Sequence, residues 1–373
     1  MEFNITVKIT FVSNIKLTES SGGMSGINNA LYHQLSKYFK IRDYLYINPP
    51  PDWFSKLKSK LIRLLGLKGN YHFFSKRRLT RINKIFESQK LSGDIYFFLG
   101  FTPWIDIKLK RPYYCYNDAS FATYVKIYNN RDEFSEQDLA RIYQKEKLWL
   151  SNAETVFFNS QWALEETKKS YNLDGTNFLN VGVGGFVDIP ESDNYKQDIN
   201  FLFISREFVP KGGKVVSEAL KLVRKKYQEA SLWILGDTPP KEVLDQEGII
   251  YKGFFNKSIP EEVEALKHVF SSAFCLVHPT IKDTTTLVIT ESAYFGCPAI
   301  ASDRFAIPEF VIDHKTGFLL KNPKDPQEVA DKMIYLIENP IEYAHIRQST
   351  RDHAISNNTW DRVGDHIFKT IKP

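Results

Sequence analysis

This chain has little sulfur: its 373 residues include three cysteines and three methionines. Cys115, Cys275 and Cys297 are an odd, scattered set without metal-ligand spacing, which argues against a disulfide framework or a cysteine metal site. They read as buried free thiols of a reducing compartment, and the cytosol is the expected location. No run approaches the ~20 apolar residues that cross a bilayer. Residues Met1 to Val12 alternate polar and apolar like a first strand, not like a secretion signal. Internal repeats and low-complexity segments are also missing.

What is present is a soluble globular composition, 43% hydrophobic and 25% charged. The length exceeds one ordinary core and implies two domains. Short β-branched or aromatic runs alternate with helical stretches. Strands are expected at Ile5–Ser13, Asp94–Leu99, Tyr113–Tyr116, Thr155–Phe158 and Phe178–Val181. In the later half they fall at Ile199–Ser205, Ser231–Leu235, Ile249–Lys252, Phe274–Val277, Ala299–Ala301 and Phe318–Leu320. Repeated strand–helix units imply an α/β protein with a doubly wound, Rossmann-like sheet in each half. The polar stretch Pro190–Asp198 reads as the linker. The expected division is residues 1–190, residues 191–355 and a terminal helical segment, 356–373. Ligands of such sheets bind outside the carboxyl ends of the strands, here in a cleft between two facing domains.

Charge is unevenly spread. Residues 1–190 carry 26 basic and 18 acidic side chains, and the remainder 23 and 26. Between Trp53 and Lys90 there are eleven Lys or Arg and a single acid, Glu87. Phe54, Leu57, Leu61 and Leu64 recur at helical spacing, with Lys56, Lys60 and Arg63 on another face. Such a helix suits an anionic membrane surface. It equally suits a solvated helix whose apolar stripe packs on its own domain. No nucleic-acid motif accompanies the basic stretch, and nucleic acid is not an expected partner.

Three clusters fall at strand ends. Ser21 to Gly26 is a Gly-rich loop that lets backbone N–H groups approach an oxyanion. It lacks the full dinucleotide fingerprint, so no nicotinamide cofactor is inferred. Arg206 and Lys211 flank a loop ending in Gly212 and Gly213. Two cations before a helix start oppose its dipole, so a diphosphate ligand explains them better than solvent does. The third cluster, Asp283 to Pro298, is a loop opening a helix. Asp283 alone could be a helix cap. Glu291 lies on the face of Leu287 and Tyr294, where a carboxylate needs a partner. The helix start offers unpaired N–H groups to an anion. Together these features suit a nucleotide-activated sugar.

The combination resembles a retaining glycosyltransferase of the GT-B fold, in the large group often called family 4. Asp283, seven residues and Glu291 resemble the family's Glu-x7-Glu signature. His278-Pro279-Thr280, Phe295 to Ile300, Pro308 to Val311 and Lys315 to Phe318 resemble the elements around it. Arg206 and Lys211-Gly212 match its Arg and Lys-Gly. Tyr114 to Thr123 resembles a subgroup with Asp-Ala-Thr-Phe in the first domain, and Ser160-Gln-Trp162 the family's Ser-x-Trp.

The resemblance implies two Rossmann-like domains about a central cleft and transfer of a hexose from a nucleotide sugar. Glu291 would accept from the ribose hydroxyls and Asp283 would contact the sugar. Leu287 and Val288 would offer backbone N–H to the diphosphate, which Arg206 and Lys211 neutralise. Phe254 and Phe255 lie where the base is held, and Gly22 and Gly23 shape the site. Trp360 opens the helix that crosses back to the first domain.

Asp118 is the candidate on the catalytic face, its alternative role being a strand-end turn cap. The chain departs from the family in having Asp for the first Glu, and Thr286 where Gly is frequent. With no Asp-x-Asp motif and two cations in place, transfer is expected to need no metal. The acceptor class is a lipid-linked or polysaccharide precursor, at the cytosolic face of the membrane. Two alternatives are a nucleotide-sugar epimerase of the same fold and a catalytically weakened nucleotide-sugar-binding subunit.

Overall fold

The computed structural model describes residues 7–17, 22–67, 73–128, 131, 134–196 and 198–371. Ile5, where the first strand was expected to begin, Ser21 of the Gly-rich loop and Lys68 of the basic stretch lie outside them. Among the described residues, twelve strands form two six-stranded parallel sheets. The first sheet comprises Lys8–Ser13 (β1), Lys40–Tyr46 (β2), Ile95–Leu99 (β3), Tyr113–Asn117 (β4), Thr155–Phe158 (β5) and Phe178–Asn180 (β6). Its order is β2-β1-β3-β4-β5-β6. The second comprises Asn200–Ser205 (β7), Ser231–Gly236 (β8), Ile249–Gly253 (β9), Cys275–His278 (β10), Ala299–Ser302 (β11) and Gly317–Leu320 (β12). Its order, β12-β11-β10-β7-β8-β9, is that of dinucleotide-binding sheets. Both sheets are doubly wound and Rossmann-like.

The chain divides into two compact units. One holds residues 7–17, Met24–Gly182 and Asp361 onward; the other holds Gly22, Gly23 and Val183–Trp360. The division falls before the polar stretch at Pro190. Residues 183–190 are already tied to the second unit, because the Gly185 amide donates to the Tyr294 hydroxyl at 2.9 Å. Arg347 then fastens the polar stretch itself. It grips Asp193 through two bonds of 2.7 Å and lies over the Tyr195 ring at 4.2 Å. The terminal helix Trp360–Ile371 joins the first unit through Asp361, bonded to Lys37 at 2.7 Å and to Gln34 at 3.0 Å.

Each unit has its own core. Phe98, Trp104, Phe121 and Trp149 anchor the first; Phe201, Phe203, Leu232 and Val277 anchor the second. Each such side chain, fully buried, contributes roughly 1.5–3 kcal/mol. The three cysteines are buried free thiols, Cys115 within the first core and Cys275 within the second. No helix of the described residues is long and apolar enough to cross a membrane.

Several elements escape the sequence pattern, the helix Lys76–Glu87 among them. Strand β2 carries Lys40, Arg42 and Asp43, and as an edge strand it needs no continuous apolar run. The helix Pro340–Asn357 has only a weak apolar stripe and is organised around Arg347. The helix Phe121–Ile127 is short, and Ser120 caps it.

The helix Trp53–Leu64 corrects one expectation. Its apolar stripe does not pack on its own domain: Trp53, Phe54, Leu57, Leu61 and Leu64 are exposed, and Ser59 is the buried residue.

A buried acid supports the first unit. Glu146 accepts from the Thr102 hydroxyl at 2.6 Å, the Phe121 amide at 2.8 Å and the Tyr171 hydroxyl. Burial pushes its carboxyl up, against the opposing effect of these donors. The folded protein therefore binds this proton more tightly than the unfolded chain. The stabilisation from protonated Glu146 is complete below the unfolded value, near about 4.3. It declines as pH rises from there through the raised folded value. Glu146→Gln should flatten that decline, read as melting temperature against pH from about 4 to 8; an unchanged profile would show that other groups set it.

Candidate donor site in the second unit

The site grows from strand β7 and the loop after it. Gly212 closes that loop at a φ of +91°, and a Cβ there would meet the Pro279 carbonyl oxygen at 2.8 Å. Glycine is therefore required on both conformational and steric grounds. This turn delivers Lys211, whose Nζ donates to the Lys282 carbonyl at 2.8 Å and pairs with Asp283 at 2.9 Å. At the mouth of the loop the Arg206 guanidinium lies over the Phe254 ring at 5.0 Å.

Strand β10 brings the second half of the site. It ends at His278, a buried imidazole stacked near Phe203 and 3.7 Å from the Asp283 carboxylate. Burial pushes the Asp283 carboxyl up. His278 and Lys211 outweigh that and hold it below the usual carboxylate range, so it is ionised through neutral pH. Asp283 does not cap the following helix: the N-cap position of Leu287–Ala293 is Thr286, which makes no side-chain cap bond. The Thr286 hydroxyl is buried and without a hydrogen-bond partner among the described residues. It stands where a glycine was the family expectation.

Glu291 projects from that helix and is almost completely buried. Its Oε1 accepts from the Phe186 amide at 3.0 Å and from the Lys257 ammonium. The expectation that this acid needs a partner is met within the protein. Lys257 was missed by sequence reasoning, because one lysine in a loop after Phe254-Phe255 carries no spacing signal. Phe186 was missed for the same reason. The Lys257 ammonium also lies 5.7 Å from the centre of the Phe186 ring.

These groups line one cavity of about 400 Å³. Arg206, Lys211, Phe254, Phe255, Asp283 and Glu291 all border it, with Thr286, Leu287 and Val288 at the helix start. Gly22 and Gly23, which cluster with this unit, line it as well. Their φ values are +86° and +57°, and nothing lies within 4 Å of a Cβ at either, so conformation and not crowding favours glycine.

Asp118 is not among the residues of this cavity. It lines another, within the first unit, together with Asn117, Ser120, Phe121 and Tyr124. The N-cap of the neighbouring helix is Ser120, whose Oγ accepts from the Thr123 amide. Among the described residues no group of three His, Cys, Asp or Glu side chains is placed to hold a metal.

The arrangement offers two cations, a helix start and a buried hydroxyl to an anion, with two carboxylates nearby for ligand hydroxyls. Residues 187–353 match the family described as glycosyl transferases group 1. The sulfoquinovosyl transferase SQD2 of Arabidopsis thaliana is 30% identical over 125 residues, 33% of this chain and 24% of that protein. A GDP-mannose-dependent alpha-(1-6)-phosphatidylinositol monomannoside mannosyltransferase of Mycolicibacterium smegmatis is 25% identical over 177 residues, 45% of this chain and 46% of that protein. The chain thus spans less than half the length of these curated relatives. Among solved structures, Anabaena Alr3699/HepE in complex with UDP superposes with a TM-score of 0.65 at 13% identity, covering 98% of this chain and 99% of that one. The shared fold is that of GT-B glycosyltransferases.

The Lys257–Glu291 pair is open to test without any ligand. Lys257→Met strands a buried carboxylate and should cost about 1–3 kcal/mol of stability. Adding Glu291→Gln should recover much of that loss, as read by urea denaturation of the single and double variants. Additive losses would show that the pair is not coupled.

Proposed function

We propose that this chain is a retaining, metal-independent glycosyltransferase that moves a hexose from a nucleotide sugar to a lipid-linked or polysaccharide precursor. The observation that carries the reading is the convergence of Arg206, Lys211, Asp283, Glu291 and the Leu287 helix start on one cavity. Its relatives support it: one is a GDP-mannose-dependent phosphatidylinositol monomannoside mannosyltransferase, and a structural neighbour is in complex with UDP.

The chemistry follows from where charge develops. The bond between the anomeric carbon and the diphosphate oxygen breaks, its electron pair leaves with the diphosphate, and the ring gains positive character. Arg206 and Lys211 meet the negative charge, assisted by the N–H groups of Leu287 and Val288. These cations take the part a metal would otherwise play. An acceptor hydroxyl then bonds to the carbon on the face the diphosphate leaves. Its proton passes to the departing phosphate oxygen, so atoms and charge balance and configuration is retained. Asp283, ionised between Lys211 and His278, would accept from sugar hydroxyls. Glu291 would share its carboxylate between Lys257 and the ribose. Phe254 and Phe255 offer aromatic surface to the base. Asp118 would serve the acceptor side.

Incubation with a panel of nucleotide sugars separates this reading from its rivals. Acceptor-dependent release of nucleoside diphosphate is the expected result. Sugar conversion without acceptor would identify an epimerase, and binding without turnover a binding subunit. Glu291→Ala and Lys211→Ala should each lower turnover on the order of 10²–10³-fold. Chelation of divalent ions should leave the rate unchanged. Wild-type rates in both variants would remove the site assignment, and a rate abolished by chelation would remove the metal-independent step.

A further inference from the structure

The helix Trp53–Leu64 is built inside out. At 100° per residue Trp53, Phe54, Leu57, Leu61 and Leu64 fall within an arc of roughly 100°, with the partly buried Ile62 outside it. A surface helix normally turns such an arc inward. Here Trp53 is 66% exposed and Leu64 73% exposed, while Ser59, on the opposite side, is 6% exposed. Just past the helix end, Leu65 and Leu67 are exposed as well. A contiguous apolar face of this size needs an occupant.

The charges around it say which. Lys56, Lys60 and Arg63 run along one edge of the arc and Lys58 along the other. The next helix, Lys76–Glu87, adds Lys76, Arg77, Arg81 and Lys84 around a groove that begins at Asp52, the N-cap of the first helix. Arg77 ties the two helices, 3.4 Å from Asp52 and over the Phe54 ring at 5.0 Å. Lys56, Lys58, Lys60, Arg81 and Lys84 form no ion pair among the described residues.

We propose that these two helices form a docking surface for an anionic lipid bilayer. The Trp53–Leu64 helix lies in the interface plane with its aromatic and leucine side chains among the acyl chains. The flanking lysines extend their stems along the apolar boundary and place their ammonium groups at the headgroup phosphates. The groove of the second helix adds further cations at the same level. Lysine flanks on both sides of an apolar stripe suit phosphates and not a protein partner, since protein interfaces are depleted in lysine. The inference stands on this surface alone and is independent of the reaction proposed for the second unit.

Flotation of the full chain with vesicles tests it. Vesicles of equal phosphatidylglycerol and phosphatidylcholine should carry the protein, and pure phosphatidylcholine should carry little. Reversal of Lys56, Lys60 and Arg63 to Glu should weaken binding by at least about fivefold per residue. Leu61→Ser with Leu64→Ser should abolish the fraction that stays bound at high salt. All five positions are exposed, so unchanged melting temperatures are expected and separate lost docking from lost fold. Equal binding to neutral vesicles, or wild-type flotation by both variants, would overturn the proposal. So would a dimer in sedimentation velocity that dissociates on Leu61→Ser, because the apolar face would then belong to a second copy.

Discussion

Within one cavity, where Glu291 is almost completely buried and Asp283 largely so, each carboxylate must be met by a cation or a donor, and the second unit is organised around that constraint. Asp283 is met by Lys211 and His278, and Glu291 by Lys257 and the Phe186 amide. A buried carboxylate without such partners would take up a proton or destabilise the fold. The turn at Gly212, the end of strand β10 and the short helix after Thr286 each deliver one member of these pairs. Their positions follow from the need to close the charge balance as much as from the order of the strands.

The same balance bears on the function proposed above. Lys211 and Lys257 each have a carboxylate partner within the protein, so under that proposal an incoming diphosphate or ribose would compete for them or share them. Sharing is favourable when the ligand brings its own negative charge to Lys211 and its hydroxyls to Asp283. The Thr286 hydroxyl, buried without a partner, is a further donor waiting in the cavity. Its methyl group also occupies space that a glycine would leave open, which narrows the approach to the helix start.

The first unit shows a different use of charge. Glu146 is wholly enclosed and spends its acceptors on Thr102, Tyr171 and the amide that begins the helix after Ser120. That helix and the strand end before it border the cavity that contains Asp118. Through Thr102 and the Phe121 amide this acid ties together two segments that border that cavity. In contrast, the basic residues of the Trp53–Leu64 helix lie outside, alongside side chains that would be expected inside.

The sequence by itself determined the α/β class, the doubly wound sheets and the identity of most cavity residues. Strand and loop chemistry are local: β-branched runs, Gly212 after Lys211, and Asp283 with Glu291 across a helix start can be read within a few residues. Only the tertiary structure decided which partner each carboxylate takes, because Lys257 and Phe186 lie far from Glu291 along the chain. Periodicity defined an amphipathic helix at Trp53 but left its orientation open, since an apolar arc reads the same whether it faces a core or faces outward. Burial resolved that question, turning Ser59 inward and the leucines out. Edge strand β2 and the helix around Arg347 stayed hidden for the same reason: a sheet neighbour and a long-range ion pair stabilise them, and neither leaves a pattern in local sequence.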